Sequence, residues 1–376
     1  MNEFLEIPDA EALIRDAIRR VAVGPNRGRD ISRRESELVM GAILRQEIDT
    51  VQAAVFLIAL RMKSESMEEF SGLFSALQQS MSITPVAVPQ LYALGDPFDG
   101  YLRSIPMTPF VPAVLAACGF PALITGVETV GPKHGITAHQ VYRLAGIKTG
   151  LPAEQAAINI VQHGWAYLDQ SQYAPQLYRM LSLRDRMVKR TAITTLERLL
   201  VPLRAQQKTN LVLGYVHKAY PDIYSSIAKQ AGFASALLVK GVEGGFAPAL
   251  NKPVRGYFFN FDLPEAAPSG KCVLDLPTTM IANQAAVSNA SPVSESVDQC
   301  LQSGLAALSG ERGTARDSLV ISSAQIIHTY QSHAHADADS FADAVEKVQY
   351  CLDNGAAKSR FQSLIANLGN KRELTQ

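Results

Sequence analysis

At 376 residues, the chain is long enough for two domains with separate cores. Its composition, 47% apolar and 19% charged, is globular rather than disordered. The 35 basic and 35 acidic side chains cancel, which argues against broad electrostatic attraction to nucleic acid or acidic membranes but leaves room for a local patch. No stretch approaches the ~20 apolar residues of a membrane span. Residues 1–20 interleave Glu, Asp and Arg where a signal core would be apolar. Cys118, Cys272, Cys300 and Cys351 are scattered, with no CxxC pair and no metal-ligand spacing, as expected of reduced thiols in a cytoplasmic protein.

The first eighty residues read as helices. "EALIRDAIRRVA" sets Leu13, Ile14, Ala17, Ile18 and Val21 on one face. Ser32 with Glu35 three residues on has the spacing of a capping box. "DTVQAAVFLIALRMKS" is apolar almost all round, which predicts burial between other helices. Ser66 and the Glu68–Glu69 pair open the next helix, where the dipole favours acids. The proline-punctuated "TPVAVPQLYALGDPFDG" changes the texture. Alternation follows: "FVPAVLAACG" (helix), "FPALITGV" (strand), "AHQVYRLAGI" (helix), then "TNLVLGYV" (strand), "PDIYSSIAKQAG" (helix) and "ASALLVKGV" (strand). That order predicts a largely parallel sheet covered by helices. Residues 152–202 read as helical and as returning to the first domain, 251–295 as loops and short strands, and the tail as helices broken at Gly355.

"LSLRDRMVKRTAITTLERLLVP" places Arg184, Arg186, Lys189 and Arg190 within seven positions, opposed only by Asp185. Two readings fit: a solvated face with intrachain ion pairs, or an anion site, for which the planar guanidinium fork is suited.

The stretch "MGAILRQEIDTVQAAVFLIALRMKSESMEEFSGL" resembles the opening helices of the anthranilate phosphoribosyltransferase family (glycosyltransferase family 3). The resemblance continues, more thinly, almost to the C-terminus. It implies an α plus α/β fold: a small N-terminal helical domain used for dimerisation and a larger α/β domain with a mainly parallel central sheet. On this reading residues 1–83 form the helical domain, joined by about 152–202, and residues 84–151 and 203–376 form the α/β domain. The family holds phosphoribosyl pyrophosphate and magnesium in a cleft between the domains and transfers the phosphoribosyl group. Displacing pyrophosphate from an anomeric carbon needs a glycine-rich phosphate cradle and metal-bound carboxylates.

Several of these parts are altered. The family's G-T-G-G-D-G aligns with Gly95-Asp96-Pro97-Phe98-Asp99-Gly100, in which Pro97 lacks an N–H and Asp96 adds negative charge. The following N-x-S-T aligns with Ile105-Pro106-Met107-Thr108, so a serine that would help hold magnesium becomes Met107. K-H-G-N aligns with Ile124–Val127, while "PKHG" at 132–135 falls several residues late. The metal-binding pair aligns with a segment, Lys240 to Ala247, that lacks both carboxylates and keeps only a nearby Glu243, a poor substitute for a divalent-ion site. The arginine that contacts the acceptor's carboxylate in the family corresponds to Arg184. "RMVKRTAITTLERLLVP" looks most like a divergent branch whose members lack the transferase activity and bind nucleic acid.

Other motifs carry two readings each. "GDPFDG" is a surviving phosphate cradle or an ordinary turn. In "PKHG", Lys133 and His134 face a cleft or sit in a polar loop before a helix capped by Thr137. His328, His333 and His335 with Asp337 and Asp339 are a metal cluster or a polar loop. Trp165 and Tyr167 are a stacking surface or core.

The candidate ligand-binding set is Gly95, Asp99, Gly100, Thr108, Lys133, Arg184, Arg186, Lys189 and Arg190. No catalytic residue and no metal ligand is assigned, and magnesium lacks its family carboxylates. The expected ligand is a phosphorylated, sugar-containing small molecule bound by a homodimer. The alternatives are a non-catalytic, single-stranded nucleic-acid-binding dimer and a structural dimer with an empty cleft.

Overall fold

A computed structural model describes residues 9–24, 27–263, 271–277, 297–334 and 340–369. His335, Asp337 and Asp339 lie outside them. The chain divides into two compact units. The first comprises Met1–Ser82, Val130–Pro132 and Ala174–Leu200; the second comprises Ile83–Thr129, Lys133–Tyr173 and Val201–Gln376.

The first unit is helical: α1 (Ala10–Val21), α2 (Arg33–Leu44), α3 (Thr50–Lys63) and α4 (Met67–Gln79), with short helices at Pro175–Arg179, Leu181–Met187 and Ala192–Leu196. Each long helix starts where a side-chain oxygen can satisfy orphan backbone donors. Asp9 accepts from the Glu11 N–H and Asp49 from those of Val51 and Gln52. Ser32–Glu35 and Ser66–Glu69 form complete capping boxes. Helices α2 and α4 cross so closely that a Cβ on Gly72 would stand 2.1 Å from the Arg33 carbonyl oxygen, so only glycine fits there.

Glu69 does more than cap. It is fully buried, and its Oε1 accepts from the Ile31 N–H at 3.1 Å. Its Oε2 accepts from the Ser66 N–H at 2.8 Å and from Lys63 Nζ at 2.9 Å. One expectation needs correcting. Helix α3 buries Ala53, Phe56, Leu57 and Leu60, but Val51, Val55 and Met62 are 69%, 42% and 70% exposed. An apolar sequence all round does not identify which face the chain's own helices cover.

The second unit is built on a sheet. Its strands are β1 (Thr84–Val86), β2 (Gln90–Gly95), β3 (Ala122–Gly126), β4 (Trp165–Asp169), β5 (Leu203–Ala205), β6 (Lys208–Tyr215), β7 (Ser235–Lys240), β8 (Val254–Asn260) and β9 (Lys271–Leu276). Seven of them run in the order β4-β3-β2-β6-β7-β8-β9; β1 and β5 form a separate parallel pair. The sheet is parallel from β4 to β7 and antiparallel at β7–β8 and β8–β9. Ala93 sits between Leu123 and Leu211 in register. The apolar runs of β3, β6 and β7 suit strands covered on both faces.

Helices α5 (Val111–Ala117), α6 (Ala138–Leu144) and α7 (Ala153–His163) follow in chain order. The C-terminal helices pack onto the same core, with α5 against Thr314–Ala334 and Ala356–Gly369. Tyr330 donates its hydroxyl to the Leu211 carbonyl at 2.7 Å, and Trp165 Nε1 donates to the Arg360 carbonyl at 2.8 Å.

Residues 152–173 lie in this second unit, and the predicted all-helical stretch contains β4. Gly164, at φ +83°, ends α7 in a left-handed cap. The residues after it, Trp-Ala-Tyr-Leu, are aromatic and apolar enough for a fully buried strand, paired with β3. Trp165 and Tyr167 are therefore core, not a stacking surface.

From β2 the chain moves to β3 on one side, while β6 pairs on the other. This is a topological switch point, and in open α/β sheets ligands favour the carboxyl ends of strands at such a point. The loop after Gly95 and the turn after Lys240 both leave strand ends on this side of the sheet.

Candidate functional site

The loop after β2 is tightly organised by its own side chains. Asp96 is buried, accepting from the Tyr101 hydroxyl at 2.6 Å and from the Thr108 hydroxyl at 2.7 Å. The charge that looks repellent in sequence is consumed by two hydroxyl donors. The Gly100 N–H is used by the Pro97 carbonyl. Gly100 has φ +73°, and a Cβ there would meet the Gly135 backbone at 2.6 Å. Tyr101 and Ile136 exchange backbone hydrogen bonds, and the Gly135 N–H reaches the Asp99 carbonyl. "GDPFDG" thus forms a turn clamped to "PKHG". Of the predicted set, Gly95, Asp99, Gly100, Thr108 and Lys133 come together here. Thr108 is fully buried and holds the loop.

Lys133 joins this loop to the turn after β7. Its Nζ donates to the Gly100 carbonyl at 2.9 Å and lies 3.8 Å from Asp99 Oδ1 and 3.4 Å from Glu243 Oε2. Glu243 reaches across to the backbone beyond Tyr101. Its Oε2 accepts from the Leu102 N–H at 3.1 Å, and its Oε1 accepts from the Arg103 N–H at 2.8 Å and the Ser104 hydroxyl at 3.2 Å. Burial alone would raise the Glu243 carboxyl, but the two N–H donors and the Lys133 charge outweigh it and hold it below the usual range.

The backbone contributes as well. Glu243 has φ +51°, in the left-handed region that costs a non-glycine residue about 1–2 kcal/mol. Glycines let the turn close tightly. A Cβ on Gly214 or Gly241 would fall 1.8 or 1.7 Å from the Gly245 carbonyl oxygen, and one on Gly245 would fall 1.7 Å from the Tyr101 hydroxyl.

The predicted cation cluster lies in the first unit and is not uniform. Arg184 is 3% exposed and pairs bidentately with Glu197, both N–O distances being 2.7 Å. That guanidinium is committed to an internal carboxylate rather than presented to a ligand. Arg186, Lys189 and Arg190 are exposed around Val188.

Tyr101, Ser104 and the amides of Leu102 and Arg103 escaped the sequence reading. Backbone donors carry no residue signature, and the partners of Glu243 lie about 140 positions away. A second unforeseen network joins α6 to β4. His139 Nδ1 lies 3.0 Å from both Tyr167 Oη and Asp169 Oδ2, and its Nε2 lies 3.0 Å from Thr149 Oγ1. Burial pushes the Asp169 carboxyl up, but its bonds to His139 and Ser171 prevail and lower it. All four cysteines are free, and burial drives the Cys300 thiol to about 12.

The donor set does not fit a magnesium ion. Glu243 faces N–H groups and an ammonium, and Asp96 faces two hydroxyls. A divalent cation at Glu243 would meet the Lys133 charge. Among the described residues, no group of three or more His, Cys, Asp or Glu could hold a metal, and no helix is long and apolar enough to cross a membrane.

Residues 15–81 match the helical bundle domain of the glycosyl transferase family. The chain is 27% identical over 238 residues to the uncharacterized protein YbiB of Escherichia coli, covering 61% of this chain and 71% of that one. It is 25% identical over 351 residues to an anthranilate phosphoribosyltransferase of Chromobacterium violaceum, covering 90% and 94%. The Saccharomyces cerevisiae anthranilate phosphoribosyltransferase in complex with PRPP and Mg superposes with a TM-score of 0.75 at 14% identity, over 96% of this chain and 98% of that one. The helical unit, the mixed but mostly parallel sheet and these likenesses agree: the chain has the fold of the anthranilate phosphoribosyltransferases and resembles them in sequence.

Proposed function

We propose that this protein binds the phosphate groups of a phosphorylated, sugar-containing small molecule at the carboxyl ends of β2 and β7. One observation carries the reading: two adjacent backbone N–H groups, a hydroxyl and the Lys133 ammonium converge on one carboxylate. Amides presented side by side with a lysine are a donor set suited to phosphate oxygens. The yeast relative is described with PRPP and Mg, which makes a phosphoribosyl compound the first ligand to try. Glycosyl transfer is the family's chemistry. Because the acidic residues present do not suit a divalent ion, magnesium-dependent transfer to anthranilate is not part of this proposal.

Calorimetry with phosphoribosyl pyrophosphate, with and without magnesium, is the test. Binding that is independent of magnesium and abolished by Lys133→Ala supports the reading. Magnesium-dependent binding with turnover of anthranilate overturns it, as does the absence of binding to any variant.

The exposed stripe Val51, Val55 and Met62 on α3, spaced at helical intervals, supports a homodimer through this helix. Light scattering on Val51→Glu/Met62→Glu should give a monomer where the native chain gives a dimer. A second reading, binding of single-stranded nucleic acid, draws on exposed Arg186, Lys189 and Arg190. It requires DNA affinity that falls steeply with salt, and no binding at low salt removes it.

A further inference from the structure

Glu243 occupies its donor set as a ligand would. Both carboxylate oxygens are engaged: Oε1 with the Arg103 N–H and Ser104 hydroxyl, Oε2 with the Leu102 N–H and Lys133. A phosphate group offers oxygens of the same charge sign and hydrogen-bonding role. The carboxylate is delivered by a turn held in a left-handed conformation at Glu243 and Gly244. The contact is only partly closed, with Lys133 and Glu243 side chains 16% and 10% exposed. Charge also opposes a double occupancy, since a phosphate beside Lys133 would face the Glu243 carboxylate and Asp99.

We propose that Glu243 is a built-in competitor for this site: a tethered carboxylate that fills the anion position and must swing out before a phosphate or pyrophosphate group can enter. The inference rests on the anion-binding reading above and adds the way that site is regulated. Because Glu243 is tethered, it competes at a fixed high effective concentration. The measured affinity for phosphate is then the intrinsic affinity reduced to the fraction of molecules with the carboxylate withdrawn. Ligand entry therefore moves the turn at residues 241–245, and with it the first residues after β7.

The probe is inorganic pyrophosphate, titrated without metal into the full chain and four variants. In Glu243→Gly the carboxylate is gone and the left-handed backbone is relieved; in Glu243→Gln the shape is kept without the charge. Lys133→Ala and the Lys133→Ala/Glu243→Gly pair complete the set. The proposal predicts weak binding to the native chain, at least tenfold tighter binding to Glu243→Gly, a smaller gain for Glu243→Gln and loss of the gain in the double variant. Equal affinity of the native chain and both single Glu243 variants overturns it, as does a gain that survives removal of Lys133. Pyrophosphate binding to Glu243→Gly with no response to phosphoribosyl pyrophosphate would leave the competitor standing and remove the sugar-phosphate reading. No pyrophosphate binding by any variant removes both.

Discussion

Two carboxylates in this molecule are gripped by the same kind of donor set, two backbone N–H groups and one lysine. Glu69 in the first unit takes the Ile31 and Ser66 N–H groups and Lys63; Glu243 in the second takes those of Leu102 and Arg103, with Lys133. They differ in burial and backbone. Glu69 and Lys63 are 0% and 4% exposed, and Glu69 sits in the first turn of α4 with ordinary helical geometry. Glu243 and Lys133 retain access to water, and Glu243 pays a left-handed conformation to make its contacts. A carboxylate sealed in this way holds a fold together. On the proposal above, one held in a strained turn with partial access to water gives way to another anion.

The largest effect is expected at the sealed pairs. Glu69→Ala takes the buried acceptor away from two amides and leaves Lys63 with Asp30 alone as its ion-pair partner, and Arg184→Ala removes the bidentate partner of the fully buried Glu197. Each should cost about 3–5 kcal/mol in urea denaturation. Arg184→Lys should recover only part, because an ammonium cannot reproduce the bidentate fork. Tyr101→Phe comes next. It removes one of two hydroxyl donors to buried Asp96 and should cost about 1–3 kcal/mol. Glu243→Gly should change stability by no more than about 1 kcal/mol, since lost hydrogen bonds are offset by relief of the backbone. A loss as large as that of Glu69→Ala would erase the distinction between the two sites.

The smallest effect is in pH dependence. The folded Glu243 carboxyl lies below its unfolded value near 4.5, so its contribution is complete above that pH. It is lost as pH falls through the lower folded value. The groups facing it are Lys133 and, beyond it, Asp99. Melting curves of the native chain and Glu243→Gln should therefore differ most near neutrality and converge only as pH falls through the lowered folded value. A difference that grows on acidification would contradict the sign.

Much of the fold was legible because local rules and tertiary structure agree. Ser32, Ser66 and Thr137 cap the helices their sequence marks, and the apolar runs of β3, β6 and β7 became buried strands. β4 was missed because its five residues follow a helix with no intervening loop or proline; Gln162, His163 and Gly164 at the helix end are the boundary. The site was legible as a region but not as chemistry. Asp96 finds Tyr101 and Thr108 five and twelve residues on, and Arg184 finds Glu197 thirteen residues on, spacings that no helical or strand period singles out. The amides that receive Glu243 are backbone groups, present at every non-proline residue.

The most direct measurement is a crystal structure of Glu243→Gly soaked in pyrophosphate. A phosphate group hydrogen-bonded to the Leu102 and Arg103 N–H groups and to Lys133, where the carboxylate stood, is the predicted result. Pyrophosphate seated instead against Arg186, Lys189 and Arg190, with the loop after β2 vacant, would contradict the account.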